Sequence, residues 1–264
     1  MIDVSQYTGF ELQLDPTTYL LNAPEGFSFK RSSRTIGEMA TVLLEPNARP
    51  ANELLYHVFY MEESPASSLL NDYGLTYSPV LLPPSTVGSE FVKTAGHYHP
   101  VIPDTDIGYP EVYAQIYGRM WLFLQKRDPL HPHTPLDCVL VEFTPGVTVT
   151  IPPEYAHVLI NPTDEPALMA GIYSVNFKPE YTEVKAHKGL AYYLVKHKHG
   201  MAIQPNLNYE NPPPITLLTD VRGTIFEPPQ ADVPLWTSFL QSPQMYAFLH
   251  DADAARARYG NGAS

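Results

Sequence analysis

From residue 91 to residue 174 the chain is cut into short runs rich in Val, Ile, Leu, Phe and Tyr, each closed by turn-forming residues. The runs are 91–99, 112–117, 120–125, 139–143, 147–151, 155–161 and 167–174. Between them lie Gly118-Arg119, a proline-rich loop at 128–135, Thr144-Pro145-Gly146, Pro152-Pro153-Glu154 and the polar turn 161–166. Runs of about six residues recurring every 8–12 or so have the spacing of a sandwich or barrel. The 28 prolines point the same way. Proline has no amide to give to a helix interior or a central ladder, so it gathers in turns and at edges. The expected fold is all-β with minor helix.

The flanks are less regular. A strand is expected at 10–14 and a short helix at 35–44, with Met39, Val42 and Leu43 on one face and Pro46 and Pro50 ending it. Aromatic and aliphatic residues at 53–61 predict a buried strand, as do those at 77–82 before Pro83-Pro84. A last strand is expected at 190–195. Beyond it, Pro205, Pro212, Pro213 and Pro214 hold a loop open. Leu235, Phe239, Met245, Phe248 and Leu249 then fall at roughly helical spacing, which predicts one or two short helices ended by Gly260 and Gly262. Two parts are therefore expected: residues 1–200 as the barrel domain with N-terminal strands, and 201–264 as an extension packed on the barrel or on a dimer partner.

Composition narrows the partners. With 16 basic and 28 acidic side chains, the formal net charge is −12. Such a protein has no counterion release to gain from a polyanion, which argues against nucleic acid and anionic membrane. A small molecule is the expected partner, and an anionic one must be held by local donors against the overall field. Cys138 is the only cysteine, so neither an intrachain disulfide nor a zinc ribbon is available. The first 15 residues show neither a basic n-region nor an apolar h-region, and no apolar run approaches 18 residues. A cytoplasmic location is the expectation.

One constellation carries chemistry. In an extended strand, residues i and i+2 project from the same face about 6.6 Å apart, so His97 and His99 can aim their imidazoles at one point. Glu111 opens the run that ends at Gly118, and His157 opens a later one. Inward residues of neighbouring barrel strands face a shared interior. Three imidazoles and a carboxylate suit Fe²⁺, Mn²⁺, Zn²⁺, Ni²⁺ or Co²⁺ and leave up to two octahedral positions open for substrate or water. The eleven-residue stretch between His99 and Glu111 carries Asp104 and Asp106, either of which is an alternative to Glu111 as ligand.

These residues resemble the two cupin motifs. The first runs His97-x-His99, Glu111, six residues, Gly118; the second runs Gly146, five residues, Pro152, two residues, Tyr155-Ala156-His157, three residues, Asn161. The stretch from Val87 to Pro100, with Pro110-Glu111-Val112-Tyr113, Leu124-Gln125, Pro145-Gly146 and Ile151 to His157, is similar more closely to the cupin-type glucose-6-phosphate isomerases known chiefly from archaea. The resemblance covers about residues 30–200. It implies a double-stranded β-helix (jelly-roll) barrel and reversible isomerisation of glucose 6-phosphate and fructose 6-phosphate. It also implies one divalent ion per chain, Fe²⁺ first, and a homodimer. By position it makes His97, His99, Glu111 and His157 the ligands, with Glu111 and Tyr113 catalytic. Thr94 and the backbone of Gly96 would hold phosphate, and Tyr56, Tyr113, Tyr173 and Tyr181 would line the sugar site.

Several residues depart from that pattern. The eleven-residue loop is longer than the family spacing, and Val80 stands where the family carries a phosphate-contacting threonine. Strict alternation puts Lys93, not Thr94, on the His97 face. The role of Thr94 thus requires a bulge, for which Gly96 is the expected place, and Lys93 would then be a surface or dimer contact. Glu154 replaces a glycine common in the second motif. His131, His133, His197 and His199 lack the accompanying Glu-x6-Gly spacing and are expected to be ordinary solvated residues. Two other functions fit the same site: a dioxygenase-type metalloenzyme, and a sugar-phosphate-binding protein without turnover.

Overall fold

The computed structural model describes residues 1–198 and 200–260; His199 and Gly262 lie outside the described residues. Nine strands build the body: β1 (Ser28–Thr35), β2 (Leu54–Glu63), β3 (Leu75–Leu82), β4 (Glu111–Tyr117), β5 (Met120–Lys126), β6 (Asp137–Phe143), β7 (Thr148–Ile151), β8 (Tyr155–Ile160) and β9 (Ala167–Ser174). One sheet has the order β7-β4-β9-β3-β2-β1. The facing sheet has the order β8-β5-β6 and ends on Thr216–Leu218, which runs parallel to β6. From β6 to β9 every connection crosses between the sheets, as does the Gly118 turn between β4 and β5. This winding is a jelly roll.

Alternation along the strands sorts residues to two faces. Toward the barrel interior, β4 presents Glu111 and Tyr113, β9 presents Tyr173, β3 presents Ser78 and Val80, and β2 presents Tyr56, Val58 and Tyr60. On the other face of the same sheet, Tyr77, Leu81, Val112, Ala114, Ile116, Leu168, Ala170 and Ile172 form a second apolar cluster with Leu235, Trp236, Phe239 and Tyr246. The C-terminal segment thus covers what would otherwise be an exposed apolar sheet face. It does so with a helix at Leu235–Gln241, a 3-10 segment at Pro243–Leu249 and a helix at Ala252–Tyr259. Among the described residues no helix is long and apolar enough to cross a membrane.

Departures from the sequence expectations have local causes. The run 91–99 is not a continuous strand: ladder pairing stops after Glu90–Phe91 and returns only as isolated bridges, Lys93 to Ile160, His97 to His157 and Tyr98 to Glu180. Gly96 interrupts it with a φ of +75°. The 10–14 strand shrinks to Gln13–Leu14 within a three-stranded ribbon. Ser28–Thr35 is a strand without a strand signal in its sequence, because SFKRSSRT has a single large apolar residue, as an edge strand does. The 35–44 helix is present as Ile36–Met39 followed by the 3-10 turn Ala40–Val42, started by a reciprocal capping box between Thr35 and Glu38.

Gly118 makes the tight passage between the sheets. Its φ is +67°, and a Cβ there would sit 2.6 Å from the Pro166 carbonyl oxygen. Gly118→Ala is expected to destabilise the fold by about 2–3 kcal/mol, the usual size for left-handed strain joined to a backbone clash. Urea unfolding at fixed m-value measures it, and a loss below about 0.5 kcal/mol would show that the turn relaxes.

Candidate metal centre

The bulge at Gly96 decides which side chains reach the interior. A Cβ on Gly96 would lie 2.6 Å from a Val158 methyl, so the backbone here approaches β8 more closely than any other residue allows. Thr94 completes the ladder at the bulge: its amide donates to the Leu159 carbonyl at 2.9 Å, and its hydroxyl oxygen accepts from the Leu159 amide at 3.0 Å. Thr94 therefore lines the cavity, as expected with a bulge. Lys93 turns the other way, but it is buried, not a surface or dimer contact. Its ammonium donates to the Val42 carbonyl at 2.6 Å and lies 3.5 Å from the Glu90 carboxylate, itself fully buried. Buried charge requires such partners, so once the bulge turned Lys93 inward the pair had to be satisfied within the fold.

His97, His99, Glu111 and His157 converge, each offering one ligand atom, with these atoms all within 4.8 Å of one another. His97 and His99 come from the irregular segment, Glu111 from the start of β4 and His157 from β8. His99 Nε2 is 3.7 Å from Glu111 Oε1, and His157 Nε2 is 3.3 Å from Glu111 Oε2. Asp104 and Asp106 are exposed on the loop and lie outside this group. Glu111 is thus the carboxylate that the fold brings to the imidazoles.

Electrostatics show a site built for a cation. His97 and His157 are held well below the usual histidine range and His99 is lowered to about 4, in each case chiefly by burial. Burial also pushes Glu111 up to about 8. The contacts with Glu111 are therefore not ion pairs at neutral pH. His97 Nε2, His99 Nε2 and Glu111 Oε2 are buried without a hydrogen-bond partner. Leaving such atoms unsatisfied is costly, and a divalent ion satisfies all of them at once, so the residues fit the group. The tautomer of His99 is set as well: Nδ1 meets the Tyr109 carbonyl oxygen at 2.6 Å, which places the proton on Nδ1 and leaves the Nε2 lone pair for a ligand role.

Around this group lies a cavity of about 240 Å³. Tyr56, Thr94, Tyr113, Tyr173 and Tyr181 line it; Gly96 does not, although its neighbours Ala95 and His97 do. The Tyr113 hydroxyl is 2.9 Å from His157 Nε2 and the Tyr173 hydroxyl 2.8 Å from Ser78 Oγ. Two lining residues had no sequence signal. Arg34 sits on β1, paired with Tyr56, and among the described residues it makes no ion pair. Phe177 packs against the His99 ring at 4.4 Å between centroids. Recognising the strand at 28–35 would have exposed Arg34, whereas nothing in the loop around Phe177 marks it. Val80 lines the wall and offers no hydroxyl. The other histidines singled out in the sequence lie elsewhere: His131 contacts Asp128 at 3.1 Å, His133 contacts His187 at 2.8 Å, and His197 is exposed at the end of the strand Tyr192–His197.

Metal binding is expected to release protons. With Glu111 at about 8 in the metal-free site and ionised when it ligates, binding at pH 7 should release close to one proton. The affinity should rise about tenfold per pH unit up to about pH 8 and flatten above it. Calorimetry in buffers of different ionisation enthalpy measures the release, and Glu111→Gln should abolish it.

Comparison with known proteins agrees with this geometry. The family model described as "Glucose-6-phosphate isomerase (GPI)" matches residues 33–211. A glucose-6-phosphate isomerase of Thermococcus litoralis is 26% identical over 182 residues, covering 67% of this chain and 86% of the relative. One of Pyrococcus furiosus is 25% identical over 182 residues, covering 67% and 87%. Among solved structures, an oxalate decarboxylase of Bacillus subtilis overlays in part, with a TM-score of 0.32, 16% identity and coverage of 48% of this chain and 27% of that one. The matched region spans β1 to the strand Gly200–Pro205 and holds every residue of the donor group, and on that match the chain belongs to the glucose-6-phosphate isomerase family.

Proposed function

We propose that this protein interconverts glucose 6-phosphate and fructose 6-phosphate in the cavity between the two sheets. The observation that carries the reading is the convergence of a three-His, one-Glu donor set, of which His97, Glu111 and His157 line the cavity, with five tyrosines and one guanidinium around the same small space. Aldose–ketose isomerisation moves hydrogen between adjacent carbons while negative charge develops on the sugar oxygens. Bound by His97, His99, Glu111 and His157, a divalent ion would supply Lewis-acid stabilisation of that charge. The donors suit Fe²⁺, Zn²⁺, Mn²⁺, Ni²⁺ or Co²⁺, and the family resemblance puts Fe²⁺ first.

The chain's own residues divide the remaining work. Tyr113 is fully enclosed, and its pKa is raised far above the usual tyrosine range, chiefly by burial and next by the adjoining Glu111. It therefore stays protonated and donates a hydrogen bond, aimed at a sugar oxygen beside His157. Glu111 is the group placed to carry a proton between carbons, although a carboxylate engaged with a cation is a weaker base. Tyr56, Tyr173 and Tyr181 present hydroxyls to the sugar. For the phosphate, the Thr94 hydroxyl and the backbone around Gly96 form one wall. Arg34 supplies the positive charge that a protein of net charge −12 lacks in its long-range field. It also compensates for Val80, which brings no hydroxyl. The working unit on this reading is a homodimer, which sedimentation tests.

A coupled assay converting fructose 6-phosphate to glucose 6-phosphate, after chelation and with metal add-back, is the direct test. Confirmed bound metal without turnover would overturn the isomerase reading in favour of a binding protein or another metalloenzyme. Tyr113→Phe is expected to lower kcat by about 100-fold with metal affinity unchanged, the usual scale for a lost acid or oxyanion donor. Arg34→Gln should raise KM about tenfold or more with kcat retained, as the loss of a uniform binding contact does. Run in D₂O, deuterium entering the product supports proton transfer through Glu111; its complete absence favours a hydride shift.

A further inference from the structure

The C-terminal helix Ala252–Tyr259 lies outside the residues that match the family, yet it touches the loop that orients a metal ligand. Ala255 is fully buried, and with Tyr259 it packs in one cluster with Ile102, Ile107, Tyr109 and Phe177. The Arg256 guanidinium donates to the Asp104 carbonyl at the loop tip, where Asp104 holds a φ of +62°. Within the loop, the Ile102 amide donates to the Ile107 carbonyl at 2.8 Å and the Tyr109 amide to the Pro100 carbonyl at 3.0 Å. These bonds bring the two ends of the loop together and fix the Tyr109 peptide. The Tyr109 carbonyl is the oxygen that meets His99 Nδ1 at 2.6 Å. Phe177 links the same parts from the other side, 5.9 Å from the Tyr109 ring and 4.4 Å from the His99 ring between centroids.

We propose that the helix Ala252–Tyr259 is a brace for the metal centre: by clamping the loop 100–110 it holds the Tyr109 carbonyl and Phe177 against His99, fixing that imidazole's tautomer and direction. Ala255, Arg256 and Tyr259 are on this account positioning residues that act through Tyr109. An unbraced eleven-residue loop would sample many arrangements, and the carbonyl that selects the tautomer would move with it. The long loop and the helix thus form a matched pair, the second compensating for the looseness of the first.

The brace is tested in the full-length protein by titrating with Co²⁺ alone, which requires no turnover and so is independent of the isomerase reading. Ala255→Glu forces a carboxylate into the seam, Tyr259→Ala removes the largest packing group, and Arg256→Ala removes the contact to Asp104 together with an exposed pair to Asp253 in the same helix. Met245→Ala, in the same segment and partly exposed, is the control. Co²⁺ affinity is expected to fall about tenfold or more in the first two, the scale for lost outer-sphere support of a ligand. The visible Co²⁺ bands should change in position or intensity. In Arg256→Ala the loss should be several-fold and restored by Arg256→Lys, while Met245→Ala matches the native protein. Hydrogen exchange in residues 100–110 should rise in step with each loss. Native affinity within two-fold together with an unchanged Co²⁺ spectrum in all three variants would overturn the proposal, as would an equal loss in the Met245 control.

Discussion

The structure turns on a single electrostatic constraint: three neutral imidazoles and a carboxyl are gathered in a buried interior, and each keeps a polar atom without a hydrogen-bond partner. Nothing in that group holds itself together. Burial makes the charged forms of the imidazoles and of Glu111 unfavourable, so the four side chains are kept in place by the surrounding sheets. The apolar contacts of the interior cluster and of the second cluster behind β4 and β9 keep that arrangement from opening. A divalent ion changes the sign of the local balance, since it satisfies the lone pairs and favours the ionised carboxylate.

Two backbone irregularities convert a regular barrel into a site. At Gly96 the chain comes too close to β8 for a side chain, which turns Thr94 into the cavity and sends Lys93 into a buried pair with Glu90. At 100–110 the chain leaves the barrel and returns, and the Tyr109 carbonyl comes to rest on His99. Glu154, where the second motif more often carries glycine, holds a φ of +66°, the left-handed geometry that glycine adopts most easily. Function here is concentrated where the ladder is broken, because only there do side chains depart from strict alternation.

Much of the fold was legible in the sequence because strand periodicity is local. The seven runs between residues 91 and 174 needed only alternation and turn residues to be recognised, and six of them are strands within a residue or two of the expected limits. The donor set was legible through spacing: two histidines two apart, a glutamate ahead of a glycine turn, and a histidine after a double proline. Arg34 and Phe177 were not. Arg34 lies on a polar edge strand with almost no hydrophobic pattern, and Phe177 follows β9 in a loop that packs with Ala255 of the distant C-terminal helix. Alternation with a bulge makes Lys93 a surface or dimer contact, and only the packing of its buried partners Glu90 and the Val42 carbonyl places it inside.

By itself the sequence determined the all-β class, the alternation that puts Glu111 and Tyr113 on one face, and the three histidines of the donor group, since these follow from residue types and motif spacing. Only the tertiary structure decided that Glu111 and not an aspartate of the long loop completes the group. The same holds for Arg34 facing the cavity, for buried Lys93, and for the C-terminal segment covering the sheet behind β4 and reaching the loop beside His99. Those outcomes depend on contacts between residues far apart in the chain, where the free energy lies in burial and close approach and leaves no periodic trace in the sequence.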